Sequence, residues 1–313
     1  MHTKRDAAQL AAGSQLEAPR RPHPAAVAEV IQAIGTPELF EKILLMLLAA
    51  GRSERGGAMV FRRARVPQRL LHWFDHKTRS VTEEAYLSGP YVLDPNYRIF
   101  LDGCASGCYW LRDIAPDDFN ESEYFRVFYS RIGVMDSMDF LWRIDADSAL
   151  SFFIERGNGQ DPFEPADVQA VAALLPIVDA ACRRHQEVSA WGAQDSGRDV
   201  THLKLESALE NFGKSVLSKR EREVLVLTLR GYSAALAGDK LHTTEGTVKI
   251  HRKNIHRKLD ISSQAELFAL FVRCIPYADS ASGADPLQVY ESRPTAIGKN
   301  EANGLLPLSG LSS

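Results

Sequence analysis

Between Glu245 and Lys258 the chain sets five cations, Lys249, Arg252, Lys253, Arg257 and Lys258, against the single acid Glu245. Cations at this density neutralise phosphates, and Lys or Asn can also read the edges of bases. At roughly 100° per residue, Val248, Ile255 and Leu259 fall on one face of a helix. The opposite face collects Ile250, Lys253 and Arg257, with Lys249 and Asn254 at its edges. One side is therefore built to pack, and the other offers cations beside an apolar tip. A charge run alone is usually a solvated helix face. The elements around this one argue for more.

Ser218 and Glu221 have the S-x-x-E spacing of a capping box, ahead of Val224, Leu225, Leu227 and Leu229. Gly231 supplies an inexpensive left-handed stop. Ser233 can cap a short second helix ending near Leu241, and Thr244 a third, supported by the i,i+4 pair Glu245–Lys249. This is a helix-turn-helix whose basic helix is shaped to enter a DNA groove. His251, beside the apolar face, reads as a packed, hydrogen-bonded histidine.

The stretches REREVL, TVKIHRKNIHRKL and SSQAE, within Leu217 to Phe271, resemble the LuxR-type C-terminal DNA-binding domain of bacterial transcription regulators. The resemblance implies a four-helix domain that binds DNA as a dimer. It places base contacts on Lys249, Ile250 and Lys253, and a phosphate contact on Thr247. The second helix departs from the family pattern. It reads Ala234-Ala235-Leu236-Ala237-Gly238, with Leu236 where an exposed acid is usual. A helical glycine costs about 1 kcal/mol relative to Ala, so a looser helix is expected. Leu267, Leu270 and Phe271 in the last helix are either dimer surface or core.

The 313 residues suffice for two ordinary domains with ragged ends. With a net charge of −3, basic character is local, which suits a regulator better than a protein that coats DNA. The longest apolar run, Ile43 to Ala50, is well short of the ~20 residues of a membrane span. The first residues lack a signal-peptide core. The expected location is the cytoplasm, with no membrane partner. Cys104, Cys108, Cys182 and Cys274 are too scattered for a disulfide framework. Cys104 and Cys108 with His72 and His76 form a four-ligand set on paper only, so neither metal nor cofactor is expected.

Along the chain, residues 1–22 read as a flexible tail and 23–187 as a sensor or ligand-binding domain. Residues 188–212 read as linker and connecting helix, 213–275 as the helix-turn-helix domain, and 276–313 as a disordered tail. Within 23–187, Gly56-Gly57 marks a turn before strands at 58–63 and 68–74. Asn120 to Ile132 reads as a helix. Two period-two strands, carrying Met138, Phe140, Trp142 and Ile144, then Leu150, Phe152 and Ile154, flank a hairpin turn at 145–148. Phe163 to Gln186 reads as one long helix. The fold class is thus an α+β N-terminal domain, an antiparallel sheet with helices on its faces, followed by an all-α four-helix helix-turn-helix domain. In order and size the first part resembles GAF/PAS-like sensor domains.

The segment AYLSGPYVLDPNYRIF, followed by Tyr109-Trp110, brings Tyr86, Tyr91, Asp94, Tyr97 and Trp110 close in sequence. Aromatic rings with a carboxylate can line a pocket for a small polar or cationic ligand. They can equally be core, with Asp94 capping a turn before Pro95. The segment is similar to the autoinducer-binding domains of quorum-sensing LuxR proteins, with a different spacing and without a Gly- and Pro-containing stretch after Ile132. The expected function is a LuxR-type, sequence-specific transcription regulator controlled by a small molecule. The alternatives are a constitutive regulator whose N-terminal domain is a dimerisation or protein-interaction platform, and an acyl-homoserine lactone receptor. The expected partners are an inverted-repeat operator in double-stranded DNA, a second copy of the chain, a small effector and RNA polymerase. A receiver domain's βαβ repeat is not evident, nor is a nucleophile elbow or phosphate loop, so an enzyme is not expected.

Overall fold

The computed structural model describes residues 23–73, 86–87, 89–189, 191, 200–279 and 282–292. Helix α1 (Pro24–Gln32) leads into α2 (Leu39–Ala50), which buries Leu39, Phe40, Ile43, Leu44, Met46, Leu47 and Leu48. Strands β1 (Arg55–Arg62) and β2 (Gln68–Trp73) follow. Gly56 and Gly57 do not make a turn but lie inside β1. A Cβ at Gly56 would come within 2.4 Å of the Phe153 carbonyl oxygen, and one at Gly57 within 2.6 Å of that of Leu71. The pair is there for strand approach.

A 3₁₀ turn at Pro90–Leu93 precedes α3 (Pro95–Leu101) and β3 (Gly107–Trp110). The expected helix at 120–132 is broken up. It forms a 3₁₀ turn at Phe119–Glu121 and a π-turn at Phe125–Tyr129. This winding turns Phe119, Tyr124, Phe128 and Tyr129 all into the core, which one regular helix face would not do. The period-two runs pair as a hairpin of β4 (Val134–Arg143) and β5 (Ser148–Gly157), with Asp145 Oδ1 accepting from the Asp147 N–H at the turn. The sheet is fully antiparallel, in the order β2-β1-β5-β4-β3.

The expected long helix at 163–186 is two, α4 (Pro165–Ala172) and α5 (Leu175–Val188). Pro176 sits in the first turn of the second, where a missing N–H is tolerated. Together they have the length and mean hydropathy, 1.4, of a membrane span, a stretch the sequence reading passed over. Here Val171, Leu174, Val178, Ala181 and Cys182 pack with α1 and α2 on one face of the sheet, over Met138, Phe140, Trp142, Leu150, Phe152 and Ile154. The opposite face is also covered. Tyr91, Tyr97, Phe100, Phe119 and Tyr129 share a second core with Met59, Phe61, Leu141 and Ala149.

Helix α6 (Val200–Asn211) connects to the helical domain: α7 (Lys219–Leu229), α8 (Ala234–Lys240), α9 (Glu245–Leu259) and α10 (Gln264–Cys274). Leu267, Leu270 and Phe271 are buried and close this domain's core, with Phe271 edge-on to Phe212 at 5.5 Å. They are not dimer surface. The reading of everything after 275 as a disordered tail does not hold over 282–292. There α11 (Pro286–Glu291) folds back, because Asp285, only 4% exposed, accepts from the N–H groups of Gly213, Ser215 and Leu287 and from the Ser215 hydroxyl.

Candidate functional site

The DNA-reading geometry begins with the caps. Ser218 Oγ accepts from the Glu221 N–H at 3.3 Å, and Glu221 Oε2 returns to the Ser218 N–H at 2.8 Å. Glu221 is buried and takes Lys258 Nζ at 2.7 Å. Burial opposes its ionised form, yet the bonds from Lys258 and Ser218 prevail and hold its carboxyl below the ordinary range. Ser233 caps α8 through the Leu236 N–H, and Thr244 caps α9 through the Thr247 N–H. Gly231 turns at φ +86°. Gly238 is no weak point. A Cβ there would lie 2.9 Å from the Thr243 carbonyl oxygen and 3.2 Å from the Glu245 N, so the glycine permits α8 and α9 to cross closely.

The five cations of α9 divide by role. Lys258 is engaged with Glu221, and Arg252 Nη2 donates to the Tyr232 carbonyl at 2.5 Å. Lys249, Lys253 and Arg257 are exposed on the outer face, as is Ile250, at 62%. Lys249 also pairs with Glu245 at 2.6 Å. Asn254 and Thr247 are half-buried beside them, and the Thr247 hydroxyl lies 2.8 Å from that of Thr244. Val248, Ile255 and Leu259 are buried, as the periodicity requires. His251 is half-buried, but its Nδ1 has no hydrogen-bond partner among the described residues, contrary to expectation.

The second cluster lies between the sheet and residues 86–129. Asp94, 6% exposed, caps α3 through the Asn96 N–H at 2.9 Å and accepts from the Tyr129 hydroxyl at 3.1 Å. Burial raises its pKa, while bonds from Asn96, Tyr86, Tyr129 and Tyr124 oppose the rise. Tyr86, Tyr91 and Tyr97 form one aromatic run, with centroids 6.1 and 5.0 Å apart. Trp110 is not part of it. It sits in the core on the other face of the sheet, where its Nε1 donates to Asp136. Asp139, 1% exposed, and Glu155, 8% exposed, were missed by sequence reasoning but belong to the cluster. Burial pushes their carboxyls to about 8 and about 7, and Asp94 adds to both. In the set once drawn with His72 and His76, Cys104 and Cys108 are unbridged, and neither histidine side chain lies among the described residues.

Residues 215–271 match the bacterial regulatory proteins of the luxR family. Over 183 residues, 57% of this chain and 93% of the relative, the chain is 28% identical to a protein of Aeromonas salmonicida described as an HTH-type transcriptional regulator in the exeN 3′ region. It is 49% identical over 51 residues to the response regulator protein TodT of Pseudomonas putida, which covers 16% of this chain and 22% of that one. Among solved structures, the VqsR LBD domain of Pseudomonas aeruginosa is similar over 52% of this chain and 96% of that one, at 19% identity and a TM-score of 0.46. Escherichia coli SdiA is similar over 80% of this chain and 97% of that one, at 15% identity and a TM-score of 0.37. Residues 215–271 form a LuxR-type helix-turn-helix DNA-binding domain, and the function of the chain is that of a transcription regulator.

Proposed function

We propose that this regulator binds an inverted-repeat operator as a homodimer and that a small molecule held by the N-terminal domain, 23–187, controls it. The observation that carries the DNA reading is the outer face of α9. Lys249, Ile250 and Lys253 stand exposed together, on a helix fixed from behind by Val248, Ile255 and Leu259. Lys249, Ile250 and Lys253 read bases, Thr247 takes a phosphate at the helix start, and Asn254 and Arg257 extend the contact. Two half-sites one helical turn apart multiply the affinity of one small domain. The protein works by binding in the cytoplasm, not by turnover, and RNA polymerase is its further partner at the promoter.

Ligand control is supported by the layer of Asp94, Asn96 and tyrosines over the sheet. A stretch this polar is unusual for an interior that serves packing alone. The connecting helix α6 begins against this same layer, with His202 on Tyr91, which gives an effector a route to the reader. The test is a footprint of the full-length protein on its promoter with and without effector. A protected inverted repeat whose occupancy depends on effector is expected, and protection of one half-site at saturation would refute the dimer. Effector-independent occupancy would favour the constitutive platform.

A further inference from the structure

Residues 117–123 of the N-terminal domain lie against the DNA-binding domain at the turn between α7 and α8. The N–H of Ser233, the cap of α8, donates to Asp117 Oδ1 at 3.0 Å. Partial burial opposes the ionised form of Asp117, yet the bonds from Ser233 prevail and hold its carboxyl below the ordinary range. Beside it, a Cβ on Gly231 would come within 3.1 Å of both Phe119 Cα and Ser122 Cβ, so the backbones meet closely. Glu123 shares a cleft with Thr228 and Leu229 of α7 and with Gln264, Leu267 and Phe268 of α10. The contact thus spans α7, the cap of α8 and α10.

Two guanidiniums are held at this contact with incomplete hydrogen bonding. Arg252, one of the five cations of α9, is half-buried. Its Nη2 donates to the Tyr232 carbonyl, but its Nε has no partner among the described residues. Burial lowers its pKa, while Asp118 and Asp117 oppose the fall. Arg230, at the end of α7, likewise has an Nε without a partner among the described residues. Burial, and then Arg98 of α3, pushes its pKa down to about 10. Buried donors without acceptors are costly. A docked surface that strands them is kept for something other than stability.

In a helix-turn-helix, the helix ahead of the reading helix crosses the sugar-phosphate backbone. Here that helix is α8, and the loop of Asp117 and Asp118 sits at its start. On DNA the two carboxylates would face phosphates, like charge against like, and would compete with them for Arg252. We propose that this loop is an intramolecular latch: docked on the cap of α8, it holds the DNA-binding domain off the phosphate backbone, and DNA binding requires it to leave. Lys249, Ile250 and Lys253 stay exposed in the docked arrangement, so the latch opposes the backbone contact and not base reading itself. This rests on the reading of α9 as the helix that enters the groove. It is independent of what the effector is, since any effector that favours the undocked arrangement would open the latch.

Binding of the full-length protein to a mixed-sequence DNA duplex at low salt tests it. Asp117 and Asp118 are exposed, so Asp117→Ala with Asp118→Ala leaves the cores intact. The double variant should bind the duplex about 5–150-fold more tightly than the parent, the span of an ordinary coupling between sites. Glu54→Gln with Asp161→Asn removes the same charge at exposed positions beside β1 and β5, and should change the affinity little. Hydrogen exchange gives a second reading. DNA slows exchange where it covers a protein, but adding duplex to the parent should speed exchange over residues 117–123, and in the double variant it should not. Equal affinity of double variant and parent, or an equal gain in the charge-matched pair, overturns the latch. So does exchange over 117–123 that the duplex leaves unchanged or slows. Failure of parent and variants alike to bind the duplex overturns the reading of α9 beneath it.

Discussion

The hydroxyl of Tyr91 lies 2.7 Å from Nδ1 of His202, and neither residue is exposed to solvent. Tyr91 belongs to the aromatic layer of the N-terminal domain, and His202 to α6, which leads into the DNA-binding domain. The rings stack at 26°, and Tyr97 meets His202 edge-on. Three residues on, Leu205 presses against Gly89, where a Cβ would come within 2.6 Å of its Cδ2. The connector is thus keyed into the layer proposed to sense the effector.

Tyr91→Phe should therefore loosen α6 without touching the reading helix. Removing the hydroxyl leaves His202 Nδ1 buried without a partner, at a cost of about 1–3 kcal/mol. Hydrogen exchange should speed up in α6 and stay unchanged in α9. A double-mutant cycle with His202→Phe should show a coupling of about 0.5–3 kcal/mol. Strict additivity would mean that the pair does not link the two domains.

Two lysines on α9 should behave oppositely. Lys253→Ala should weaken operator binding by about 1–3 kcal/mol and leave the Tm unchanged, because the side chain is exposed. Lys258→Ala should lower the Tm, because it strips Glu221 of its cation. The folded pKa of Glu221 is depressed. Its contribution is therefore present above the unfolded value of 4.5 and lost as pH falls through the folded one. The Lys258→Ala defect should accordingly shrink in acid. Gel shifts and melts of both variants separate the roles.

The buried acids set a second pH dependence, of opposite sign. Asp139 and Glu155 have folded pKa values raised to about 8 and about 7, from 3.8 and 4.5. The folded state holds more protons than the unfolded one between these limits. Their contribution is complete below the unfolded values and is lost as pH rises toward 8. Each extra proton bound corresponds to about 1.4 kcal/mol per pH unit. Without effector, the parent should lose Tm from pH 5 to pH 8 more steeply than Asp139→Asn. Parallel melting curves across that range would contradict the assignment.

The DNA-reading half was legible because its signals are local. Ser218 with Glu221, Gly231, Thr244 and the 3.6-residue repeat of α9 act within a few residues of one another. Gly238 misled for the same reason. Helix propensity counts its cost, but the contact that requires it comes from Thr243 and Glu245 across a turn. In the N-terminal domain, period two located β4 and β5 and gave one apolar face. The residues between, Ser137 and Asp139, looked unremarkable, because nothing local shows that residues 86–129 fold over them. Tyr86, Tyr91, Asp94 and Tyr97 were found because they are neighbours in sequence. Trp110 was placed with them for that reason alone, although strand alternation sends it to the other face of the sheet.

The C-terminal segment gives the last prediction. Composition marked residues from Pro276 onward as a disordered tail, yet Asp285 ties Gly213 and Ser215, ahead of α7, to the start of α11. Leu287, 1% exposed, joins the same core as Phe212 and Phe271. A fragment of residues 200–292 should therefore be more stable than one of 200–276. Asp285→Ala should remove much of the difference, because three backbone N–H groups and a hydroxyl lose their acceptor at about 1–3 kcal/mol for each buried group left unmade. All three should bind the operator without effector, since the outer face of α9 lies far from this tie in the chain and keeps its own caps. Equal Tm values for the two fragments would restore the reading of a passive tail. Loss of operator binding in the longer fragment alone would instead make residues 277–292 part of the control of the reader.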